Sequence, residues 1–222
     1  MSENNNYQRR KTIKIPDPSE LLAEFIGIFL GDGSFRNKYQ ITISYNHRTE
    51  KGYAAYIRRI VYKLFGLRSN VRIRKKYGSA EAVVTSSNLV DYLRKETGLS
   101  YGNSRNQLIL PGWISRNKKY KIGFIRGIFD SEGCVYGHMY RSGSKSYSYV
   151  KIAITNYCDK VLTAVYGFLA DLKIHAVKYN NRVHIYSDLE TRRFFKLIKS
   201  HNAKNKIRFK NSTIYRRGTQ VV

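Results

Sequence analysis

A seven-residue segment occurs twice in this 222-residue chain, and the repeat constrains the fold more than any other feature. GIFLGDG at 27–33 returns as GIFDSEG at 127–133, with four of the seven positions identical. Asp32 and Glu132 occupy equivalent places in the two copies. Self-similarity of this kind predicts two copies of one structural unit, so the two carboxylates are expected to be related by symmetry.

The same order of elements follows each copy. Ile41 and Ile43 alternate with polar residues, as do Ile152 and Ile154 in the second copy, which is typical of half-buried strands. A helix-like segment, two short basic strands and another helix-like segment come next. We therefore predict an α+β fold of two pseudo-symmetric αββαββα repeats. The predicted divisions are a flexible polar N-terminus at 1–16, a first repeat at 17–110, a linker at 111–120 and a second repeat at 121–222.

The first helix of each unit carries small residues at every fourth position. These are Ala23, Gly27 and Gly31 in the first copy, and Gly123, Gly127 and Ser131 in the second. Glycine inside a helix costs roughly 0.5–1 kcal/mol relative to alanine, so the stripe predicts close approach of another backbone. We expect the two helices to pack along these stripes in parallel, at the centre of the protein. Asp32 and Glu132 then leave their C-terminal ends side by side.

The start of the first helix has its own signal. Asp17 is the expected N-cap, with Pro18 at the first helical position and Glu20 completing a capping box.

Two carboxylates at helix C-termini are electrostatically unfavourable, because a helix places partial negative charge there. A divalent cation held by Asp32, Glu132 and the carbonyls of Gly31 and Ser131 would relieve this. Mg²⁺ is the expected ion, since it prefers oxygen ligands and takes further ligands from phosphate. In the alternative interpretation, GDG and SEG are merely helix stops and turn residues.

The charge of the chain predicts its partner. There are 41 Lys and Arg against 15 Asp and Glu, a formal net charge of +26, so we expect a polyanion with a phosphate backbone. An anionic membrane surface and a ribosome are alternatives; no long amphipathic basic helix supports the membrane. Cys134 and Cys158 are expected to be buried thiols rather than zinc ligands with His138. We expect an intracellular protein, in an archaeal-like cytoplasm or an organelle.

Residues 25–33 (FIGIFLGDG) and 125–133 (IRGIFDSEG) together resemble the two motifs of a monomeric, double-motif LAGLIDADG homing endonuclease. The resemblance implies that the motif helices form the interface between the halves and that antiparallel sheets form a DNA-binding saddle. It also implies that Asp32 and Glu132 hold the catalytic metals, with Mn²⁺ able to replace Mg²⁺ and Ca²⁺ binding without supporting cleavage. Leu30 departs from the acid usual at the sixth motif position, whereas Asp130 keeps it.

Accessory catalytic residues follow from the same resemblance. The family uses a basic residue near the helix that closes each repeat, which makes Arg105 and either Lys204 or Lys206 candidates. Asn46 and Asn156 end the early strands and are candidates for positioning water, or else ordinary turn residues.

One face of each predicted strand is polar or basic. A two-stranded basic ribbon fits the major groove, which is about 12 Å wide and distinguishes all four base pairs. In the first half the DNA-binding candidates are Arg36, Lys38, Gln40, Thr42, Ser44, Arg72, Arg74 and Lys76. In the second half they are Tyr136, His138, Tyr140, Arg141, Lys145, Tyr147, Tyr149, Lys151, Thr155, Lys178, Arg182 and His184.

These features together predict an intron-encoded homing endonuclease that makes a metal-dependent double-strand break in a long DNA target. Two alternatives stay open. One is a maturase that binds intron RNA, and the other is a sequence-specific DNA-binding protein without cleavage.

Overall fold

The computed structural model describes residues 12–99 and 107–212 and contains both predicted repeats. The first comprises α1 Glu20–Asp32, β1 Gly33–Asn37, β2 Gln40–Asn46, α2 Lys51–Phe65, β3 Asn70–Arg74, β4 Ser79–Thr85 and α3 Ser87–Thr97. After a short α4 Gly112–Arg116, the second comprises α5 Lys118–Glu132, β5 Gly133–Ser142, β6 Lys145–Thr155, α6 Asp159–Asp171, β7 Val177–Tyr179, β8 Arg182–Ile185 and α7 Asp188–Ile198. An additional helix, α8 Ala203–Lys210, follows. The predicted α+β class and element order are confirmed.

Each repeat contains one four-stranded antiparallel sheet, with orders β1-β2-β4-β3 and β5-β6-β8-β7. Ile43 lies opposite Ala82 in the first sheet, and Ile154 lies opposite Val183 in the second. These residues are buried, and they share the inner face of each sheet, which packs against the helices. The outer face carries the alternate, more polar positions, as the period of two requires.

The motif helices α1 and α5 pack on each other through their small residues. A methyl group built on Gly127 would strike the carbonyl of Glu24, and one built on Gly123 would strike the carbonyl of Glu20. A methyl group on Gly31 would meet Ser131. These contacts advance in the same direction along both helices, so the helices are parallel and in register. The predicted central helix pair is thereby confirmed.

The start of α1 differs from the prediction. The N-cap is Ser19, whose Oγ accepts a hydrogen bond from the backbone N–H of Leu22 at 3.2 Å. Asp17 and Pro18 precede the helix, and the Pro18 carbonyl accepts a hydrogen bond from the Tyr120 hydroxyl at 3.0 Å. Glu20 does not close a capping box, since its carboxylate pairs with Arg126 of α5.

The core of each half is aromatic where helices meet. Phe25 of α1 contacts Phe65 of α2 edge to face, with ring centroids 5.2 Å apart, and Phe129 contacts Phe194 in the same way at 4.8 Å. Ahead of α1, Ile13 packs against this core. No helix in the described ranges is both long enough and apolar enough to cross a bilayer.

The two cysteines do not form a metal site in the described part of the chain. Cys158 is buried next to the start of α6, whereas Cys134 lies half-buried on β5, where its thiol accepts a hydrogen bond from Arg208 at 3.2 Å. Neither joins His138 in a cluster of metal-ligating side chains among the described residues.

Candidate functional site

The two motif acids end the two motif helices. Asp32 is the last residue of α1 and Glu132 is the last residue of α5, and both are half-buried. A methyl group built on Gly31 would lie 2.6 Å from Cβ of Ser131 and 3.2 Å from Cγ of Glu132. The helix ends therefore converge, and the acids project from one place at the boundary between the halves.

A glycine after each acid lets the chain turn directly into a strand. Gly33 and Gly133 are extended, and their N–H groups donate to the carbonyls of Phe29 and Phe129. A Cβ atom on either glycine would collide with the phenylalanine one turn earlier. The Asp-Gly and Glu-Gly pairs thus fix both the end of the helix and the direction of the strand.

The donors at this junction suit a hard divalent cation. Two carboxylates converge where helix C-termini concentrate partial negative charge, and every candidate ligand atom is oxygen. Ser131 can contribute its carbonyl, and its Oγ donates a hydrogen bond to the carbonyl of Gly127 at 2.9 Å. Burial, reinforced by the charges of Asp130 and Asp32, raises the pKa of Tyr53 well above its ordinary value, so its phenol stays neutral near the junction.

The two strand-end asparagines differ in what they bind. Asn156 is buried, and its Nδ2 donates to the carbonyl of Leu30 at 3.4 Å, so it supports the last turn of α1 from the other half. Asn46 is exposed, and its Oδ1 accepts from the backbone N–H groups of Arg48 and Thr49 at 2.9 and 3.0 Å. The contacts of Asn46 are those of an ordinary turn.

The two candidate accessory lysines, Lys204 and Lys206, have different surroundings. Lys204 Nζ lies 2.7 Å from Oε1 of Glu50, which also accepts from Nδ2 of Asn202 at 2.8 Å. Asn202 donates in turn to the carbonyl of Asp130 at 2.9 Å, which connects this group to the end of α5. Lys206 is exposed instead and, with Phe195 of α7, lines an open cleft of about 400 Å³. Arg105 lies outside the described residues.

Opposing effects act on the buried carboxylate of Glu50. Burial alone would raise its pKa, but the Lys204 ammonium, the Asn202 amide and the Asn46 N–H together hold it below the ordinary value. Glu50 therefore stays ionised and keeps Lys204 in place.

Sequence reasoning missed a buried charged network beneath the motif ends. Arg126 of α5 pairs with Glu24 of α1 at 2.9 Å and with Glu20 at 2.7 Å. The same Glu24 accepts from the Tyr56 hydroxyl at 2.8 Å and contacts Nδ1 of His201 at 2.8 Å. The sequence did contain a signal for this network, because Glu24 and Arg126 are opposite charges within the apolar motif segments of α1 and α5.

Asp130, the acid at the sixth motif position, belongs to this buried region and not to the converging tips. It is fully buried and accepts hydrogen bonds from Ser200 Oγ at 2.5 Å and from the backbone N–H groups of His201 and Asn202 at 2.7 and 3.2 Å. Burial raises its pKa to about 6. Asp130 thus anchors the segment after α7 rather than the tip of the helix.

The outer face of the second sheet brings most of its predicted DNA-binding residues together. Tyr140 stacks on Tyr147 and Tyr149, with ring centroids 5.1 and 6.0 Å apart, and Lys151 Nζ lies 5.0 Å from the ring centroid of Tyr186. The register places the following predicted residues on this face: Tyr136, His138, Tyr140, Lys145, Tyr147, Tyr149, Lys151, Thr155, Arg182 and His184. Nδ1 of His184 is buried there without a hydrogen-bond partner among the described residues, and burial lowers the pKa of its imidazole.

The outer face of the first sheet is more internally paired. Arg72 and Arg74 both reach the carboxylate of Glu81, at 3.5 and 2.7 Å, and Arg72 also donates to Gln40. Ser44 lies opposite Glu81 on the same face. Arg36 and Lys38 are exposed, respectively at an irregularity of β1 and in the following turn.

Three predicted DNA-binding residues lie elsewhere than the alternation indicates, and a fourth lies on the predicted face but is buried. The buried one is Thr42, which is 1% exposed because its strand β2 lies between β1 and β4. Lys178 lies opposite the inward-facing Val183 and pairs with Asp159 of α6 at 2.6 Å, so it faces the helices. Arg141 is exposed at the β5–β6 hairpin but on the opposite face from Tyr140, and Lys76 lies in a 3₁₀ turn between β3 and β4.

Comparisons with known proteins agree with this architecture. Residues 119–199 match the family model described as a LAGLIDADG-like domain. The uncharacterised protein MJ0314 of Methanocaldococcus jannaschii is 27% identical over 169 residues, 75% of this chain; the matched region is 60% of that relative. The LAGLIDADG meganuclease I-AabMI bound to uncleaved DNA has a TM-score of 0.59 at 12% identity, covering 89% of this chain and 90% of that one.

A second solved structure, I-DmoI in complex with DNA and Mn, has a TM-score of 0.51 at 18% identity, with 81% of this chain and 96% of that one covered. I-DmoI has also been solved with DNA and Ca.

The fold and the two converging motif ends define a single-chain, pseudo-symmetric α+β protein with one motif helix in each half. Its resemblance to the double-motif LAGLIDADG homing endonucleases is confirmed at the level of similarity: residues 119–199 match the model of a LAGLIDADG-like domain, and the fold is similar to that of the meganuclease I-AabMI over 89% of this chain.

Proposed function

We propose that this protein is a site-specific homing endonuclease that makes a divalent-metal-dependent double-strand break in a long DNA target. The observation that carries the proposal is the convergence of Asp32 and Glu132 at the ends of α1 and α5. Two equivalent acids at the boundary between equivalent halves provide one acid for each strand of a duplex. I-AabMI and I-DmoI, which share the fold, have been solved with DNA.

The duplex is proposed to lie along the outer faces of the two sheets. The second sheet offers stacked tyrosines with Lys151 and Arg182, which suit contacts to phosphates and base edges. The net charge of +26 supplies the sequence-independent part of the affinity through release of counterions from DNA. The two faces differ in composition, so the target is expected to be only roughly palindromic.

Asp32 and Glu132, with the carbonyls of Gly31 and Ser131, are the proposed ligands of Mg²⁺, for which Mn²⁺ is a substitute. The fold relative I-DmoI has been solved with Mn and with Ca. When bound, such an ion lowers the pKa of water and stabilises negative charge on phosphate oxygens.

Residues around Asp32 and Glu132 contribute to the proposed site in three ways. The glycine contacts between α1 and α5 bring the carboxylates together before DNA binds. Asn156 holds the last turn of α1 through the Leu30 carbonyl, and Asn202 holds the end of α5 through the Asp130 carbonyl. Lys204, held 2.7 Å from Oε1 of Glu50, is the proposed cation for a phosphate near the scissile bond.

We further propose that the protein acts as a monomer within the cell and is intron-encoded, so that its target is the intronless allele. One chain supplies both motif acids, and no second subunit is needed to complete the pair. If this is right, the DNA that spans the joined exons contains the target.

The experiment is cleavage of a randomised duplex library with Mg²⁺, followed by sequencing of the cut ends. Wild type is expected to give a defined double-strand break, whereas Asp32→Asn and Glu132→Gln bind but do not make that break. Asp171→Asn, which removes an exposed acid of α6, is the control and should cut like wild type. Cutting by both motif variants would refute the proposal. Absence of cutting with tight binding to intron RNA would identify a maturase, and tight DNA binding alone would identify a non-cleaving binder.

A further inference from the structure

A basic cleft lies on the helix side of the first half, between α2 and the segment that joins it to β3. Its volume is about 570 Å³, and its lining includes Arg58, Arg59 and Tyr62 of α2 together with Arg68, Ser69 and Asn70. The cleft lies beside the edge strand β3, and Asn70 is the one described lining residue that belongs to a strand.

Three guanidinium groups line the cleft without a carboxylate. None of Arg58, Arg59 and Arg68 forms an ion pair with an acid in the described ranges, although Arg72 and Arg74 on the adjacent strand both reach Glu81. Arg59 lies over the ring of Tyr56, 5.3 Å from its centroid, which leaves the planar group oriented but not neutralised. Three like charges around one concavity attract an anion.

Ser69 provides the second, independent observation. The residue is 5% exposed, and its Oγ has no hydrogen-bond partner among the described residues. A buried hydroxyl left without a partner costs about 1–3 kcal/mol, so proteins usually satisfy it. Ser69 lines the cleft, and its hydroxyl, which rotates about a single side-chain torsion, is a hydrogen-bond donor without a partner in the described part of the chain.

We propose that this cleft is a binding site for a phosphate group. Arginine forks match phosphate oxygens with paired hydrogen bonds, and the Ser69 hydroxyl supplies a further donor. The phosphate belongs either to the backbone of a nucleic acid strand or to a free phosphate ester, since both present the same oxygens. The site requires neither Asp32 nor Glu132, so it stands or falls separately from DNA cleavage.

The test is thermal unfolding of the full chain in inorganic phosphate against chloride of equal ionic strength. Wild type is expected to show a saturable rise in melting temperature with phosphate. Ser69→Ala should melt at the same or a higher temperature in chloride, because it removes an unpartnered hydroxyl, yet bind phosphate about fivefold more weakly. Arg68→Ala should lose most of the response. Lys63→Ala, an exposed cation of α2 outside the cleft lining, is the matched control and should respond like wild type.

Two further measurements distinguish the sources of the phosphate. A labelled RNA oligonucleotide that loses affinity in Arg68→Ala and Ser69→Ala, but not in Lys63→Ala, supports a nucleic acid strand. A phosphate-induced shift lost by the same two variants with unchanged oligonucleotide binding supports a free phosphate ester. If the response of wild type does not saturate, or if the cleft variants and Lys63→Ala respond alike, the proposal is overturned.

Discussion

Arg126 of α5 donates to Glu24 of α1 across the interface between the halves, with Nη1 and Oε2 2.9 Å apart. Arg126 also reaches Oε1 of Glu20 at 2.7 Å and the carbonyl of Ile198 at 2.6 Å. Burial alone would lower the pKa of this guanidinium, but Glu24 and Glu20 raise it overall. Because Glu24 is only 1% exposed, the structure relies on Arg126 to compensate its charge.

Arg126→Met is therefore expected to lower the free energy of unfolding by about 3–5 kcal/mol, since it leaves a buried carboxylate without its main partner. Urea denaturation measures this loss. Arg193→Met is the matched control, because Arg193 is exposed and pairs with Glu190 within α7. A surface pair of that kind is worth about 0–1 kcal/mol, so equal losses in the two variants would contradict the importance of the buried pair.

Gly127→Ala is expected to destabilise the protein by about 1–3 kcal/mol or more, because the added methyl group meets the Glu24 carbonyl of the facing helix. Gly167→Ala in α6 provides the opposite expectation. Nothing lies within 4 Å of a methyl group at Gly167, so alanine should raise the unfolding free energy by about 0.5–1 kcal/mol. The denaturation midpoints of both variants check this, and a stabilising Gly127→Ala would show that the helices are not in close contact.

Asp130 should make stability depend on pH in a definite direction. Burial raises the pKa of its carboxyl from 3.8 to about 6, so the neutral form is favoured in the folded protein. Its stabilising contribution is complete below about pH 4 and is lost as pH rises through about 6. The unfolding free energy of wild type minus that of Asp130→Asn should therefore fall by up to about 3 kcal/mol between these values.

Asp159 should show the opposite pH dependence of the unfolding free energy when it is measured by urea denaturation in the same way. The Lys178 ammonium holds the pKa of Asp159 below its ordinary value, so its contribution is present at neutral pH and is lost on acidification. The unfolding free energy of wild type minus that of Asp159→Asn should thus rise with pH. If the unfolding free energy of wild type minus that of Asp130→Asn is constant or also rises with pH, the buried carboxylate of Asp130 is stabilised as the anion.

The salt dependence of DNA binding tests which face of the second sheet meets the duplex. Lys151 lies on the outer face, whereas Lys178 faces α6 and pairs with Asp159. Lys151→Ala should reduce the slope of log affinity against log salt by about 1, and Lys178→Ala should leave it unchanged. Fluorescence anisotropy with a labelled duplex measures both slopes, and the reverse pattern would place the DNA on the other side of the sheet.

Much of the fold followed from local patterns. The small residues at every fourth position of each motif helix predicted the parallel helix pair, because glycine inside a helix is unfavourable unless another backbone comes close. The repeat predicted the equivalence of the halves. The N-cap at Ser19 was missed because two neighbouring residues, Asp17 and Ser19, can both cap. In the structure Ser19 caps, and the preceding Pro18 carbonyl bonds to Tyr120, which is distant in sequence.

The misplaced site residues have a similar cause. Side chains alternate along β7 as predicted, but the sequence does not show which set faces outward. The pairing with β8 places Lys178 opposite Val183, on the face that packs against the helices. Thr42 has the right parity, yet its exposure depends on neighbouring strands. The opposite charges of Glu24 and Arg126 gave a signal for their ion pair, but the contact between Glu24 and His201 joins residues far apart in sequence, so no local pattern predicts it.

The most direct test of the shared acidic centre is a crystal structure of the protein with a duplex that it binds, grown with Mn²⁺ and read by anomalous scattering. We expect manganese peaks in contact with the carboxylates of both Asp32 and Glu132, adjacent to a phosphate of each strand. Peaks elsewhere, or a duplex bound with both carboxylates remote from any metal, would contradict the account.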